Sequence, residues 1–172
     1  LDYIMMASMD EGIMKELEAM EEDQLELASF GSLKKCIQLD TKNQWKSDVN
    51  RRIESLRAMM FNAGAEMFNQ KNYEAAYDAF DGSVKMYDVL SKPDTLAMFN
   101  AALAAENLNR FDEAFSYYKM CADNNYGKGA EMYQSMIRVL NSPKNENKDD
   151  QKILSVIEEG KNKFPNDFVL NV

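Results

Sequence analysis

The sequence has 172 residues, of which 45% are apolar, so one domain with a sizeable core is possible. Three prolines and seven glycines are too few for a turn-rich β fold, and no apolar run approaches the ~18 residues of a membrane span. The net charge of −9 argues against nucleic-acid binding, because phosphate neutralisation needs clustered Lys and Arg. We therefore expect a largely helical protein that neither binds nucleic acid nor inserts into a membrane.

The charge is concentrated at one end of the chain. Residues 1–30 hold nine acids and one lysine, whereas residues 31–172 hold 20 acids and 19 bases. The acidic end is either a solvated helix face or a surface that docks a basic partner or repels nucleic acid. The chain begins with Leu1, so its native start is expected to lie upstream or to have been processed.

The first 40 residues carry two apolar stripes at helical spacing. They predict two helices, each weakened by about 1 kcal/mol by an internal glycine, Gly12 or Gly31. The stripes are Met6, Met9, Ile13, Leu17 and Met20, and then Leu27, Phe30, Leu33 and Ile37.

Apolar residues then recur every three or four positions, which predicts successive amphipathic helices and no credible strand. Asp94 is placed to accept hydrogen bonds from the first N–H groups of one helix, and Gly127 suits the C-terminal cap of another. Residues 141–150 are polar and contain Pro143, so they are expected to form an exposed loop. The stripes run from Trp45 to Met67, Tyr73 to Leu90, Leu96 to Leu103, Phe111 to Cys121, Ala130 to Leu140 and Ile153 to Gly160.

Residues 62–87 are echoed 38 positions later by residues 100–125. An internal repeat of this length indicates stacked supersecondary units that share their core with neighbours. The matching segments are Asn62-Ala63-Gly64 with Asn100-Ala101-Ala102, Tyr73-Glu74-Ala75-Ala76 with Phe111-Asp112-Glu113-Ala114, and Phe80 with Tyr118.

On these residues the chain resembles a tetratricopeptide repeat (TPR) protein of bacterial type. The family unit is two antiparallel helices in about 34 residues, with a small residue in the first helix and an Ala-x3-aromatic step in the second. Gly64 and Ala102 take the small position, and residues 76–80 and 114–118 take the step. The resemblance implies an all-α fold, a right-handed superhelix of stacked antiparallel helix hairpins (a TPR-like α-solenoid). The 38-residue spacing implies that the helix predicted over 73–90 is about one turn longer than usual.

The resemblance is strongest over 57–127, partial over 128–165 and weakest over 10–43. Cys36 and Cys121 share a small-residue position of the second helix, so both thiols are expected to be buried and without a redox role. The implied units are 1–43, a degenerate acidic N-terminal helical unit; 44–92, a repeat with a long first helix; 93–127, a repeat; 128–167, a repeat with the loop insertion 141–150; and 168–172, the start of a further helix.

In the resembled family, the first helices of successive units line a concave groove that receives an extended peptide or a partner helix. Two interpretations stay open here. The groove residues bind such a partner, or they pack against the chain's own neighbouring helix. A carboxylate clamp is not predicted, because Phe61 stands where the clamp has a lysine. The positions carried over are Phe61, Ala65, Phe68 and Asn69 in one unit, and Phe99, Leu103, Glu106 and Asn107 in the next.

The chain carries no histidine, which removes the commonest general base and zinc ligand. It also lacks a phosphate loop, a nucleophile elbow, a dinucleotide fingerprint and a calcium loop. We therefore expect no catalytic activity, no cofactor and no metal. The favoured function is a non-catalytic protein-protein interaction scaffold that binds a protein or peptide. The sequence leaves the compartment open, and the resemblance to bacterial repeat proteins favours the periplasm or cell envelope over the cytoplasm.

Two alternatives remain. One is the ligand-binding module of a glycan-binding bacterial cell-surface lipoprotein, which requires exposed aromatic platforms. The single tryptophan, Trp45, begins a helical stripe and is expected to be buried, but its exposure beside Tyr3 or Tyr126 would favour this alternative. The other is self-association through terminal units, whose apolar end faces need capping.

Overall fold

The computed structural model describes residues 22–127 and 129–170. Within these ranges it contains seven α-helices and no strand, so the all-α prediction is confirmed. None of the helices in the described ranges combines the length and the hydropathy needed to cross a bilayer. The helices are α1 (Glu22–Leu39), α2 (Lys46–Asn69), α3 (Tyr73–Val89), α4 (Thr95–Asn107), α5 (Phe111–Asp123), α6 (Glu131–Leu140) and α7 (Asp150–Lys163).

The chain divides into two compact units, Leu1–Ile53 and Glu54–Val172. In the first unit, the Asp40 carboxylate accepts hydrogen bonds from the backbone N–H groups of Gln44 and Trp45, each 2.8 Å long. These bonds satisfy N–H groups that would otherwise be unpaired where α2 begins. The predicted stripe from Met6 to Met20 lies outside the described residues.

In the second unit, consecutive helices pack against each other, α3 on α4, α4 on α5, α5 on α6 and α6 on α7. Small side chains let these helix backbones approach closely, and large rings fill the spaces beside them. The rings of Phe80, Tyr118 and Tyr133 are all buried. The fully buried alanines are Ala76, Ala97, Ala101, Ala102, Ala104, Ala105 and Ala114.

The turns after α2 and α4 are equivalent, as the internal repeat predicts. Lys71 and Asn109, which are 38 positions apart, both adopt the left-handed conformation, with φ of 62° and 59°. In each turn the next N–H group bonds back to a helix carbonyl, a pattern that ends many helices. These bonds run from Asn72 N–H to Met67 O and from Arg110 N–H to Ala105 O, each 2.9 Å.

The second helices of the two echoed segments differ in length. Helix α3 has 17 residues and α5 has 13, so α3 is longer by four residues, or about one turn. The predicted extension is therefore confirmed, and it accounts for the 38-residue spacing. The described residues thus have a helical repeat-like, all-α fold.

Equivalent residues of the echoed segments lie in equivalent surroundings. Gly64 and Ala102 are both buried. The Phe61 ring packs on Phe80 at a centroid distance of 5.4 Å, and the ring 38 positions later, Phe99, packs on Tyr118 at 6.1 Å. A Cβ atom on Gly64 would lie 2.8 Å from Cδ1 of Phe80, so that position has no room for a side chain.

The prediction that Gly127 caps α5 is wrong. The left-handed position after α5 is taken by Asn125, with φ of 55°, and the N–H group of Tyr126 bonds to Cys121 O at 2.9 Å. Asparagine adopts this conformation more readily than most residues, so no glycine is needed. Gly127, with φ of 85°, lies in the loop that follows.

The connection between α6 and α7 is mostly exposed, as predicted, but Asn145 is buried. Its Nδ2 donates to Val139 O at 3.4 Å and Leu140 O at 3.3 Å, which satisfies carbonyl groups at the end of α6. Beyond α7, residues 168–170 form a turn. Residues 171 and 172 lie outside the described part of the chain, so the further helix stays a prediction.

Candidate functional site

The eight predicted groove residues lie on α2 and α4, and each keeps some solvent exposure. The five apolar ones are partly buried against the core: Phe61, Ala65, Phe68, Phe99 and Leu103. On each helix they are spaced three or four residues apart, so each helix presents one apolar stripe. We call these five residues, together with Leu96, the apolar stripes.

The stripe of α2 rests on α3. Phe61 packs on Phe80, and Phe68 meets Tyr73 edge-on at a centroid distance of 5.2 Å. Aromatic pairs in such tilted arrangements contribute about 0.5–1.5 kcal/mol beyond the area that they bury. The inner faces of these rings therefore stabilise the fold, while their outer faces stay accessible.

The stripe of α4 is held from two sides. The Phe99 ring lies 6.1 Å from Tyr118 on α5 and 5.2 Å from Tyr126 in the loop after α5. Leu96 precedes Phe99 by three residues and Leu103 by seven, which places it on the same side of the helix. It is 47% exposed. Our groove prediction omitted Leu96, although its spacing from Phe99 could have identified it.

Glu106 is paired with α6 and α5. Arg138 Nε donates to Glu106 Oε1 at 3.1 Å and Arg138 Nη2 to Glu106 Oε2 at 2.9 Å, which is a bidentate pair. The Tyr118 hydroxyl also donates to Oε2, at 2.9 Å. Burial, followed by the nearby Glu106 carboxylate, raises the pKa of Tyr118, so its proton stays in this bond. Glu106 therefore binds within the chain and contributes no unpaired charge.

Two of the predicted groove positions are asparagines, Asn69 and Asn107, and Asn100 lies with Asn107 on α4. Nδ2 of Asn107 donates to Leu103 O at 2.8 Å, and Nδ2 of Asn100 donates to Leu96 O at 2.8 Å. Both bonds run back along α4, four residues toward its N-terminus. Asn69 is exposed at the C-terminal end of α2. One amide N–H of Asn100 and one of Asn107 are thus engaged with α4 itself.

A buried polar network connects α2, α3 and the start of α4. Asp94 Oδ1 accepts from the N–H of Ala97 at 3.1 Å, which confirms the predicted cap. Asp94 Oδ2 accepts from Arg57 Nη1 and from the Ser83 hydroxyl, each at 2.9 Å. The Arg57 guanidinium also lies over the Tyr87 ring, 4.7 Å from its centroid. Because these groups join three helices, they fix the position of α4 against α2.

The prediction that Trp45 is buried is wrong, because its side chain is 60% exposed. Trp45 immediately precedes α2, whose buried stripe begins at Val49. Its ring borders an open recess of about 660 Å³, formed by the end of α1 and the connection to α2. Leu39, Lys35 and Lys42 also line this recess.

The two cysteines lie in different environments. Cys121 is fully buried, and burial raises the pKa of its thiol to about 12, so it stays protonated and unreactive at neutral pH. Cys36 is partly exposed and lines the recess beside Trp45, so the prediction of burial is wrong for this residue. Both are free thiols.

Outside the apolar stripes, Leu154 on α7 and Phe168 and Val169 in the turn beyond it are exposed. This is the kind of end surface on which the prediction of self-association depends, and it stays a prediction.

Across residues 22–127 and 129–170, no group of three or more Cys, Asp or Glu side chains is arranged to hold a metal ion.

Comparisons with protein-family models, with curated proteins and with solved structures gave no match to this chain.

Proposed function

We propose that the chain is a non-catalytic scaffold of the tetratricopeptide repeat type, which binds a protein segment on its apolar stripes. In this proposal α2–α3 and α4–α5 are successive units of a right-handed superhelix, and α2 and α4 line its concave groove. The equivalent turns at Lys71 and Asn109, and the equivalent ring pairs Phe61–Phe80 and Phe99–Tyr118, support the stacking of like units.

The observation that carries the proposal is the set of accessible apolar side chains on α2 and α4. Leu96 is about half exposed, and it continues the partly exposed surface of Phe99 and Leu103. Burying one large apolar side chain on binding contributes about 1.5–3 kcal/mol, and a few such anchors dominate most protein interfaces. A partner that covers these residues would therefore gain most of its affinity from them.

The test is a quantitative capture experiment with the full chain as bait. We expect Leu96→Glu to reduce capture of a partner at least tenfold, because a buried, unpaired carboxylate costs more than about 1.4 kcal/mol. Leu96 is the better target than Phe99, since Phe99 also packs on Tyr118 and Tyr126 and its loss would weaken the fold. Retained partners are quantified by mass spectrometry and confirmed by titration with the purified partner.

Met59→Glu is the matched control. Met59 is 53% exposed, comparable to Leu96, but it precedes Phe61 by two residues and so lies about 200° around α2 from that ring. Capture should be unchanged in this variant. A partner retained equally by the wild type and Leu96→Glu, with both chains folded by circular dichroism, would show that the apolar stripes are not the binding surface.

The exposure of Trp45 supports a second candidate, a glycan-binding module. An accessible indole face bordered by Lys35 and Lys42 is suited to stacking on a sugar ring and hydrogen bonding to its hydroxyl or carboxylate groups. Tyr3 and Tyr126 were the aromatic residues considered as further sugar platforms beside Trp45. Tyr3 lies outside the described residues, and the Tyr126 ring packs on Phe99.

Because Trp45 is the only tryptophan, its fluorescence reports directly on this recess. Glycan binding predicts a saturable blue shift of its emission when neutral or acidic oligosaccharides are titrated. The shift should be unaffected by Leu96→Glu, which changes the other proposed surface. Emission that is unchanged across the panel would argue against the glycan module.

A further inference from the structure

We infer that the recess beside Trp45 is selective for acidic glycans, whose sugar rings carry carboxylate or sulfate groups, over neutral glycans. This inference rests on the second proposed function, the glycan-binding module, and specifies its ligand.

The recess has one wall on α1 and one on the connection to α2. Its α1 residues stand at positions i, i+3, i+4 and i+7, so a single face of that helix forms the first wall. Trp45 and the loop before it form the second. The volume of about 660 Å³ lies within the range of small-ligand sites, about 300–1,000 Å³. The four α1 residues are Ser32, Lys35, Cys36 and Leu39.

The loop between the two walls is fixed by Asp40. Its carboxylate accepts hydrogen bonds from the backbone N–H groups of Gln44 and Trp45, and its own N–H donates to Cys36 O at 2.9 Å. The backbone of Trp45 is therefore tied to the end of α1, while its indole stays 60% exposed. Because the loop is already ordered, a sugar that stacks on this ring loses little binding free energy to loop ordering.

The charge of the lining selects the ligand. Lys35 and Lys42 are both exposed, and among the described residues neither has an acidic group within ion-pair distance. Of the described residues that line the recess, Asp40 is the one acid. Each of its oxygens accepts a backbone N–H beside the start of α2, which compensates its charge within the loop. The recess therefore offers two positive charges to a ligand.

This local charge is opposite in sign to that of the whole chain. Residues 31–47 hold four lysines and one aspartate, whereas the chain has a net charge of −9. A lysine ammonium group can only donate hydrogen bonds, and its bonds to anionic oxygens are stronger than those to neutral hydroxyls. An acidic glycan supplies both a ring for the indole and counter-charges for the lysines. A neutral glycan supplies no counter-charge.

Titration of the full chain with oligogalacturonate, followed by Trp45 fluorescence, tests the inference. The methyl ester of the same oligomer is the matched ligand, because it keeps the sugar rings and removes their charge. We expect a saturable blue shift with the acid and binding of the ester that is weaker by about tenfold. Added salt should weaken binding of the acid, because it screens exposed charges. Alginate and chondroitin sulfate fragments extend the panel to other linkages and to sulfate.

Two double variants test the role of the lysines. Lys35→Gln/Lys42→Gln is expected to weaken binding of the acid about tenfold, because two exposed ion pairs with the ligand are lost. Lys34→Gln/Lys148→Gln is the control, since it changes the net charge equally but neither lysine lines the recess. It should bind as the wild type does. All four lysines are exposed, and circular dichroism verifies that both variants are folded.

The outcomes separate this inference from the glycan module itself. An ester that binds as tightly as the acid would overturn the selectivity and leave the module standing. Polyglutamate, or vesicles that contain phosphatidylglycerol, could instead shift the emission as strongly as the acidic oligosaccharides. That result would show binding of any polyanion or of an anionic lipid surface, and it would overturn both proposals. Emission that is unchanged across the whole panel would also overturn both.

Discussion

Asp94→Ala is expected to lower the free energy of unfolding by about 3–5 kcal/mol, because it leaves Arg57 without its partner in a largely buried site. The same change removes the acceptor of the Ser83 hydroxyl and the cap of α4 at Ala97 N–H. Asp94 is 5% exposed, so water cannot replace these bonds without a rearrangement of the packing. The measurement is urea unfolding followed by far-UV circular dichroism.

Asp149→Ala is the matched control for this prediction. Asp149 also caps a helix, accepting from the N–H groups of Gln151 and Lys152 at 3.0 Å each, but it is exposed. Loss of such a cap costs about 1 kcal/mol. Equal effects of the two substitutions would show that Asp94 acts as a cap alone and that its bonds to Arg57 and Ser83 contribute nothing.

Gly64→Val is expected to lower the free energy of unfolding by about 3 kcal/mol, because the added side chain overlaps the Phe80 ring. The first carbon alone would lie 2.8 Å from Cδ1 of Phe80 and 2.9 Å from Cε1. Phe80 is buried and packs on Phe61, so a shift of its ring would disturb the packing of the core. The same unfolding experiment measures the loss.

The control is Gly31→Val in α1. Gly31 is also inside a helix, but no heavy atom lies within 4 Å of the position that its Cβ would take. Valine has a slightly better helix propensity than glycine, so this change should stabilise the chain by up to about 0.5 kcal/mol. In the double variant with Phe80→Leu, part of the Gly64→Val loss should be recovered. Similar losses at Gly64 and Gly31 would contradict close packing of α2 on α3.

Both stability predictions bear on binding. Asp94 and Arg57 connect the start of α4 with α2, and Gly64 lets α3 approach α2 closely. These contacts determine where the two apolar stripes lie relative to each other. Variants that weaken them should therefore lose partner binding along with stability, whereas Leu96→Glu should lose binding alone.

Much of the fold follows from local sequence signals. The periodicity of apolar residues predicts α2 to α7, and the side chain of Asp94 predicts the start of α4. The 38-residue echo predicts the equivalent turns at Lys71 and Asn109. Local signals do not show which residue takes the left-handed position at the end of a helix when two nearby residues can both adopt it. Asn125, and not Gly127, takes the left-handed position after α5, since either residue can adopt it.

The candidate site was predictable in its apolar part and not in its polar part. The positions Phe61, Phe68, Phe99 and Leu103 come from the resemblance to the repeat family, and all four are apolar side chains partly buried against the core. The role of Glu106 depends on Arg138, which lies 32 residues away on α6. No local pattern shows whether a carboxylate at a groove position faces a partner or pairs within its own chain.

The amino-acid sequence by itself determined the helices, their order and the equivalence of the two echoed segments, because these depend on periodicity and on caps within a few residues. The tertiary structure decided which side chains are accessible and which polar groups are already used. It left Trp45 and Leu96 exposed and paired Glu106 with Arg138. The physical reason is that burial and hydrogen-bond satisfaction depend on residues distant in sequence, whose positions are set only when the helices pack.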